Sequence, residues 1–285
     1  MIRHKQQSTL DPKHVKAKLD AFFQEDNIEN DITTKATQKS NTTVQAFFIA
    51  KEDLIFAGKE IIIQAFDGCS LNQIQEDGAQ IKKGEPLAML SGPINNILKK
   101  ERVVLNLLQR LSGIASTTQE LAKIAAPYNI QLLDTRKTTP GLRAFEKFAV
   151  FIGGGTNHRF SLKDSVIIKD NHLIGSPNII DVVKKAQREN PDTDIQIEVD
   201  TMEQLETALQ SKTTAIMLDN FSPKEIPKAI ETIQQSERGE NIYIELSGGI
   251  NKENLKDYCI KGVHGISMGA LTHNIKSKDI SLDLK

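Results

Sequence analysis

Between residues 130 and 270, six short apolar runs alternate with segments of helical spacing, and each run leads into polar or charged residues. The runs are Gln131–Asp134, Ser165–Ile168, Ile195–Val199, Ala215–Leu218, Ile242–Leu246 and Gly265–Met268. Apolar residues recur at helical spacing in Ile179–Glu189, Met202–Gln210, Pro223–Gln235 and Lys252–Lys261. Strands joined by helices predict a parallel sheet in an α/β domain, closed or nearly closed as a barrel. Six strand candidates argue against the regular eightfold form.

The residues at the end of each run decide where chemistry can occur. The runs lead to Asp134-Thr135-Arg136-Lys137, Lys169-Asp170-Asn171-His172, Glu198 with Asp200, Asp219-Asn220, Glu245 with Ser247-Gly248-Gly249, and Ser267-Met268-Gly269. In a parallel barrel all these positions gather at the carboxyl ends of the strands, where the connecting loops build active sites. One acid at a strand end is ordinarily a turn or a helix cap. A whole set converging by topology is hard to assign to solvation.

The charges are unevenly placed. Residues 136–172 hold seven Lys and Arg against three acids, whereas the whole chain carries 36 basic and 37 acidic residues. A local cationic focus in a neutral chain fits a pocket for a polyanionic small molecule, and it argues against a nucleic-acid or membrane surface. Arg136, Arg159, His158, Lys137 and Lys169 supply forked and point-like donors for carboxylates or phosphates. Glu198 and Asp219 on adjacent strands are oxygen ligands suited to Mg²⁺ shared with substrate oxygens. Ser247-Gly248-Gly249 precedes a helical segment, and Gly269 precedes Ala-Leu-Thr-His273; both offer close backbone approach to a phosphate.

Before residue 100 the pattern is different. β-rich runs at Thr43–Ala50, Leu54–Ala57 and Pro86–Ser91 alternate with the turn signals Asp67-Gly68, Asp77-Gly78, Lys83-Gly84 and Gly92-Pro93. Asp77–Ala88 is similar to a strand of biotinyl or lipoyl carriers, but no lysine is presented on a tight hairpin, so it reads as a structural β element. Pro12–Phe23 reads as a helix capped by Asp11, with Pro12 at its first position. A long helix is expected from Ile97 to about Ala126, with Val104, Leu107, Leu108, Leu111 and Ala115 on one stripe and Arg102 roughly opposite. The first residues are lysine-rich without an apolar core, no run approaches the roughly 18 residues that cross a bilayer, and Cys69 and Cys259 show no metal spacing. A cytoplasmic enzyme with no membrane association is expected.

Several motifs together resemble the quinolinate phosphoribosyltransferase family. They are Glu101-Arg102 with Leu105–Ala115, Asp134-Thr-Arg-Lys-Thr-Thr-Pro-Gly-Leu-Arg143, Gly153-Gly-Gly with Asn157-His-Arg159, Ile168-Lys-Asp-Asn-His172, Met217-Leu-Asp-Asn-Phe221, Ser247-Gly-Gly-Ile250 and Gly269-Ala-Leu-Thr-His273. They run in family order over most of the chain. Val103-Val104, Leu246 and Asn30 depart from the family pattern, but none replaces a charged site residue.

The resemblance implies an N-terminal α/β sandwich domain over residues 1–108, joined by the tail 274–285, and an incomplete parallel α/β barrel over 109–273. It implies transfer of the phosphoribosyl group of phosphoribosyl pyrophosphate to quinolinate, with decarboxylation, giving nicotinate mononucleotide, CO₂ and pyrophosphate for NAD biosynthesis. It further implies Mg²⁺ as cofactor and a homodimer in which Arg102 reaches the partner's quinolinate. Thr135, Arg136, His158 and Arg159 would then bind the acid, with Lys137 and Lys169 between acid and phosphoribosyl groups. Glu198 and Asp219 would hold ribose hydroxyls and Mg²⁺, while Ser247, Gly248, Gly249, Ser267, Gly269 and His273 would meet phosphates. Lys137, Lys169, Glu198 and Asp219 form the expected catalytic set.

Three other readings use the same residues. A phosphoribosyltransferase-like protein of molybdenum uptake systems would keep the barrel and take another acceptor. A Schiff-base lyase would use Lys169 at its strand end, and a non-catalytic anion carrier would leave Glu198 and Asp219 without a task. Arg102, Arg136, His158 and Arg159 together favour quinolinate.

Overall fold

The computed structural model describes residues 4–39, 42–175 and 178–285. Its strands, in chain order, are β1 (Thr43–Ala50), β2 (Leu54–Ile55), β3 (Ser70–Ile74), β4 (Gln80–Ile81), β5 (Pro86–Pro93) and β6 (Gln131–Leu133). They continue as β7 (Val166–Ile168), β8 (Ile195–Val199), β9 (Ala215–Asp219), β10 (Tyr243–Ser247), β11 (Gly265–Ser267) and β12 (Ile280–Leu284). The chain forms two compact units: one of residues 7–119, 139–154 and 274–285, the other of residues 120–138 and 155–273 with the stretch ending at Gln6.

The first unit contains an antiparallel sheet in the order β12-β1-β5-β3. Alternation along β1 puts Ala46, Phe48 and Ala50 on the buried face. Helix Pro12–Glu25 begins where Asp11 accepts the His14 amide at 2.9 Å, and its buried face is Val15, Leu19 and Phe23 at four-residue spacing. Helix Lys59–Ala65 contributes Ile61, Ile62 and Ala65. The long helix spans Ile94–Ala125 and buries Ile97, Val104, Leu108, Leu111 and Ala115. It also serves as a hydrogen-bond partner, since Ser116 Oγ accepts the Ile55 amide at 2.8 Å.

The tail runs along this helix before it joins the sheet. Gln109 Nε2 donates to the Ile280 carbonyl at 2.9 Å, and the Lys278 amide donates to the Gln109 carbonyl at 3.0 Å. Gly113 is the contact point, because a Cβ there would lie 2.5 Å from the Lys276 carbonyl oxygen. Helix Arg143–Ile152, which the cationic sequence around it gave no reason to expect, also belongs to this unit. Its buried Glu146 accepts from Arg110 Nε at 2.8 Å and from the Thr139 amide at 3.1 Å.

The second unit is the predicted parallel barrel. Its six strands lie in the order β6-β11-β10-β9-β8-β7, every neighbouring pair parallel. β6 and β7 are the edges of the sheet, so the barrel is incomplete as expected. Beyond β6, Thr156 forms an isolated parallel bridge with Leu133. Helices Ile179–Glu189, Met202–Leu209 and Ile226–Gln235 fall where the spacing placed them, whereas only Leu255–Tyr258 of the expected 252–261 segment is α-helical.

Side-chain alternation divides each barrel strand between two faces. Ile197 and Val199, Ile216 and Leu218, Ile244 and Leu246 form the apolar set. The other set is polar apart from Met217: Gln196 and Glu198, Met217 and Asp219, Tyr243, Glu245 and Ser247. Register aligns Glu198 with Met217, Met217 with Glu245, and Asp219 with Ser247, so the polar set forms layers across the sheet. Tyr243 donates its phenol to Gln131 Oε1 at 3.1 Å, and burial pushes its pKa well above the ordinary phenol value.

Candidate active site

At the carboxyl ends of the barrel strands lies a cavity of about 340 Å³. It is lined by Thr135, Arg136 and Lys137 after β6, His158 and Arg159, Lys169 after β7, Glu198, Asp219, Glu245, Ser247 and Ser267, with Ile167 and Met217 as its apolar members. Ten of the predicted residues are therefore brought to one place: Thr135, Arg136, Lys137, His158, Arg159, Lys169, Glu198, Asp219, Ser247 and Ser267.

The cationic wall is held by a buried acid. Asp134 is fully buried, and its two oxygens receive Asn157 Nδ2 at 2.7 Å and the His158 amide at 2.8 Å. One strand-end carboxylate thus fixes the backbone of the 157–159 segment beside β6. The Arg159 amide donates to His158 Nδ1 at 2.8 Å, and Arg159 Nη1 donates to the Ser165 carbonyl at 2.8 Å. Burial, with Arg136 adding like-charge repulsion, lowers the Arg159 pKa from its usual value. Two guanidiniums facing one cavity are costly without a counter-anion. Arg136 Nε is moreover buried without a hydrogen-bond partner among the described residues.

The arrangement of His158 alters the expectation that it simply adds a donor. Because Nδ1 accepts from the Arg159 amide, the ring proton sits on Nε2. That nitrogen lies 3.4 Å from Glu245 Oε2. Glu245 is 1% exposed and also accepts from Gln196 Nε2 at 2.8 Å. Burial alone would raise its pKa, but His158, Gln196 and Ser267 outweigh burial and hold it below the usual value. The sequence places Glu245 at a strand end without assigning it a role. Its i−2 spacing from Ser247 is the available signal that both face the same way.

In the same cavity Lys169 Nζ forms a close ion pair with Glu198 Oε2. Burial raises the Glu198 pKa, Lys169 pulls it down, and Asp219 and Asp200 push it up again, with the net shift upward. Desolvation and the Asp219 charge likewise raise Asp200. Three carboxylates that repel one another, neutralised by one lysine, form a site with affinity for further positive charge. Among the described residues no group of three or more His, Cys, Asp or Glu could hold a metal unaided. Glu198 and Asp219 are carboxylates of the kind Mg²⁺ takes, one or two from a protein with substrate oxygens and water completing its shell.

Gly248, Gly249, Gly269 and His273 do not line the cavity itself. Gly248 has φ of +93°, and a Cβ there would stand 2.5 Å from the Asn220 nitrogen, so only glycine fits this turn. At Gly269 a Cβ would meet His273 Nε2 at 2.8 Å and Lys137 Cδ at 2.9 Å, which places His273 and Lys137 around one bare backbone position. Thr272 Oγ1 donates to the Lys137 carbonyl at 2.7 Å and ties that loop down. Arg102 is exposed on the long helix and lines a different cavity of about 460 Å³, with Glu25, Asp26, Asn106 and Thr139 among its neighbours.

Comparisons with known proteins cover most of the chain. Residues 31–112 match the model of the quinolinate phosphoribosyl transferase N-terminal domain, and residues 114–283 match that of the C-terminal domain. A probable nicotinate-nucleotide pyrophosphorylase (carboxylating) of Bacillus subtilis is 42% identical over 275 residues, covering 95% of this chain and 93% of the relative. The nicotinate-nucleotide pyrophosphorylase (carboxylating) of Mycobacterium leprae is 35% identical over 260 residues, 89% of this chain and 91% of that one. The solved nicotinate-nucleotide pyrophosphorylase of Francisella tularensis superposes with a TM-score of 0.92 at 32% identity, over 99% of this chain and 100% of that one.

Proposed function

The chain belongs to the quinolinate phosphoribosyltransferase family, and from that premise we propose that its barrel cavity joins quinolinate to phosphoribosyl pyrophosphate, releasing CO₂, pyrophosphate and nicotinate mononucleotide. The observation that carries the reading is that one cavity holds both a cationic set and a carboxylate set. Arg136 and Arg159 supply forked cations, Arg136 Nε being buried without a hydrogen-bond partner among the described residues, and Glu198 with Asp219 lines the same space. A planar dicarboxylate matches the arginines. A phosphorylated sugar with bound Mg²⁺ matches the carboxylates and lysines.

In this reading the arginines hold the two ring carboxylates and turn the ring nitrogen toward C1 of the ribose. Orienting two reactants in this way removes much of the entropic cost of their encounter. Lys137 and Lys169 neutralise the pyrophosphate leaving C1, while Glu198 and Asp219 hold the ribose hydroxyls and face the positive charge that develops on the sugar. Mg²⁺, when bound, supplies further neutralisation of the pyrophosphate. Nitrogen attack forms the N–C1 bond as the C1–pyrophosphate bond breaks and leaves a pyridinium ring. The adjacent carboxylate then departs as CO₂, leaving its electron pair on C2, where the neighbouring N⁺ stabilises it until a proton from water replaces the lost carboxylate. The backbone near Gly248, Gly249 and Gly269, with His273, receives phosphate oxygens, an assignment supported by the bare backbone at these glycines.

The reading also includes a homodimer in which Arg102 reaches the partner's quinolinate, supported by its exposed position on the long helix. A cytoplasmic location is supported by Cys69 and Cys259, both free thiols. Among the described residues, no helix is long and apolar enough to cross a membrane.

Calorimetry with quinolinate and nicotinate tests the acid half alone. Nicotinate lacks one carboxylate and leaves a buried guanidinium unmatched, so it is expected to bind about 10- to 100-fold more weakly, on the scale of one lost charge-assisted hydrogen-bond set. Equal affinities would remove the two-carboxylate wall from the account.

A further inference from the structure

The segment before the first helix reaches the barrel. Gln6 grips Asn157 by both main-chain groups: its Oε1 accepts the Asn157 amide at 2.7 Å, and its Nε2 donates to the Asn157 carbonyl at 3.1 Å. The same Nε2 donates to the His4 carbonyl at 2.9 Å, which folds the segment back on itself. The His4 ring lies against the His158 ring, with centroids 4.5 Å apart and planes inclined by 30°. The stretch ending at Gln6 groups with the barrel, whereas the residues from Gln7 onward group with the other unit.

These contacts fall on the segment that carries the acid-binding wall. Asn157 precedes His158 and Arg159, and Asp134 fixes it from within through Asn157 Nδ2 and the His158 amide. Gln6 satisfies the remaining main-chain groups of Asn157. His4 covers a ring whose Nδ1 takes the Arg159 amide and whose Nε2 faces Glu245. The His158 ring is held at Nδ1 by the Arg159 amide, and the His4 ring packed on its face restricts how it can turn. The bland alternative, an arm that merely packs on a convenient surface, does not explain an amide side chain matched to both main-chain groups of one residue.

We propose that His4 and Gln6 are positioning residues: the N-terminal arm acts through Asn157 and His158 to set the direction of the His158–Arg159 wall toward the acid. The inference rests on the quinolinate reading for its substrate, and on the Gln6 hydrogen bonds and the His4–His158 ring contact for its mechanical part. Both residues lie outside the region matched by the family models, which begins at residue 31.

The test compares wild type with Gln6→Ala, His4→Ala, His4→Phe and a variant lacking residues 1–6. Michaelis constants are measured for both substrates, and amide hydrogen exchange is followed by NMR. Gln6→Ala, His4→Ala and the truncation are expected to raise the quinolinate KM about 3- to 10-fold, with kcat and the phosphoribosyl pyrophosphate KM within about twofold. His4→Phe keeps a ring against His158 and should restore most of the loss. The Asn157 amide should exchange at least about tenfold faster in Gln6→Ala and in the truncation, with β8 and β10 amides unchanged. Unchanged Asn157 exchange, or a rise in both Michaelis constants that His4→Phe does not rescue, would overturn the positioning role. The exchange measurement needs no turnover, so failure of the arm and failure of the substrate reading give different results.

Discussion

Arg136→Ala is expected to raise the quinolinate KM by about 30-fold to a few thousandfold while leaving the phosphoribosyl pyrophosphate KM within about threefold. The range corresponds to the roughly 2–5 kcal/mol lost when one partner of a desolvated, hydrogen-bonded charge pair is truncated. Three observations place Arg136 in that class. It follows β6 directly, so a strand of the barrel fixes its backbone. It shares the cavity with Arg159, whose pKa is lowered first by burial and then by repulsion from Arg136. Its Nε is buried and unpartnered among the described residues, and a bound carboxylate would satisfy it. Arg136→Lys should recover only part of the loss, because an ammonium restores the charge and not the planar fork. Steady-state kinetics with each substrate varied in turn reads both numbers. Equal increases in the two Michaelis constants would place Arg136 in general scaffolding.

Glu198→Gln should act in the opposite sense, lowering kcat by about 10²–10³ with a much smaller effect on quinolinate binding, the scale seen when one preorganised electrostatic group is removed. The substitution keeps the shape and one acceptor oxygen, and turns the other oxygen into an NH₂ donor. It removes the negative charge that pairs with Lys169 and faces the ribose half of the cavity. Lys169 would then lose its close ion-pair partner and keep only the Asp219 and Asp200 charges nearby, so its hold on pyrophosphate would change as well. Calorimetric quinolinate affinity close to wild type, together with lost turnover, separates this role from folding damage. A kcat within about threefold of wild type would exclude Glu198 from the reacting centre.

The barrel is legible in the sequence because each of its strands is short, apolar and closed by a polar residue, and the structure reproduces those strands to within a residue or two. Inward-facing polar groups can be read at strand ends, where Lys169, Glu198, Asp219 and Ser247 stand. Glu245 is harder, since a fully buried acid within an apolar run gives no sign of its direction until the two-residue period is counted from Ser247. The helix Arg143–Ile152 is hidden because its signal is dominated by the cationic turn before it. Only the Arg110–Glu146 pair and buried Phe145 and Phe148, all tertiary contacts, explain its place. The clamp of Gln6 on Asn157 spans 151 residues of sequence, and the polar segment that carries it has no periodicity to announce it. The family motifs supply roles for Arg102 and the glycines that residue chemistry alone leaves open.

The central claim is that one cavity carries out both phosphoribosyl transfer and decarboxylation. Incubating the full chain with quinolinate labelled at the 2-carboxylate, phosphoribosyl pyrophosphate and Mg²⁺, and following labelled CO₂ with nicotinate mononucleotide, tests it directly. The account predicts equimolar release of both products, abolished by chelating Mg²⁺. A folded protein that yields neither product, or CO₂ without the nucleotide, would contradict it.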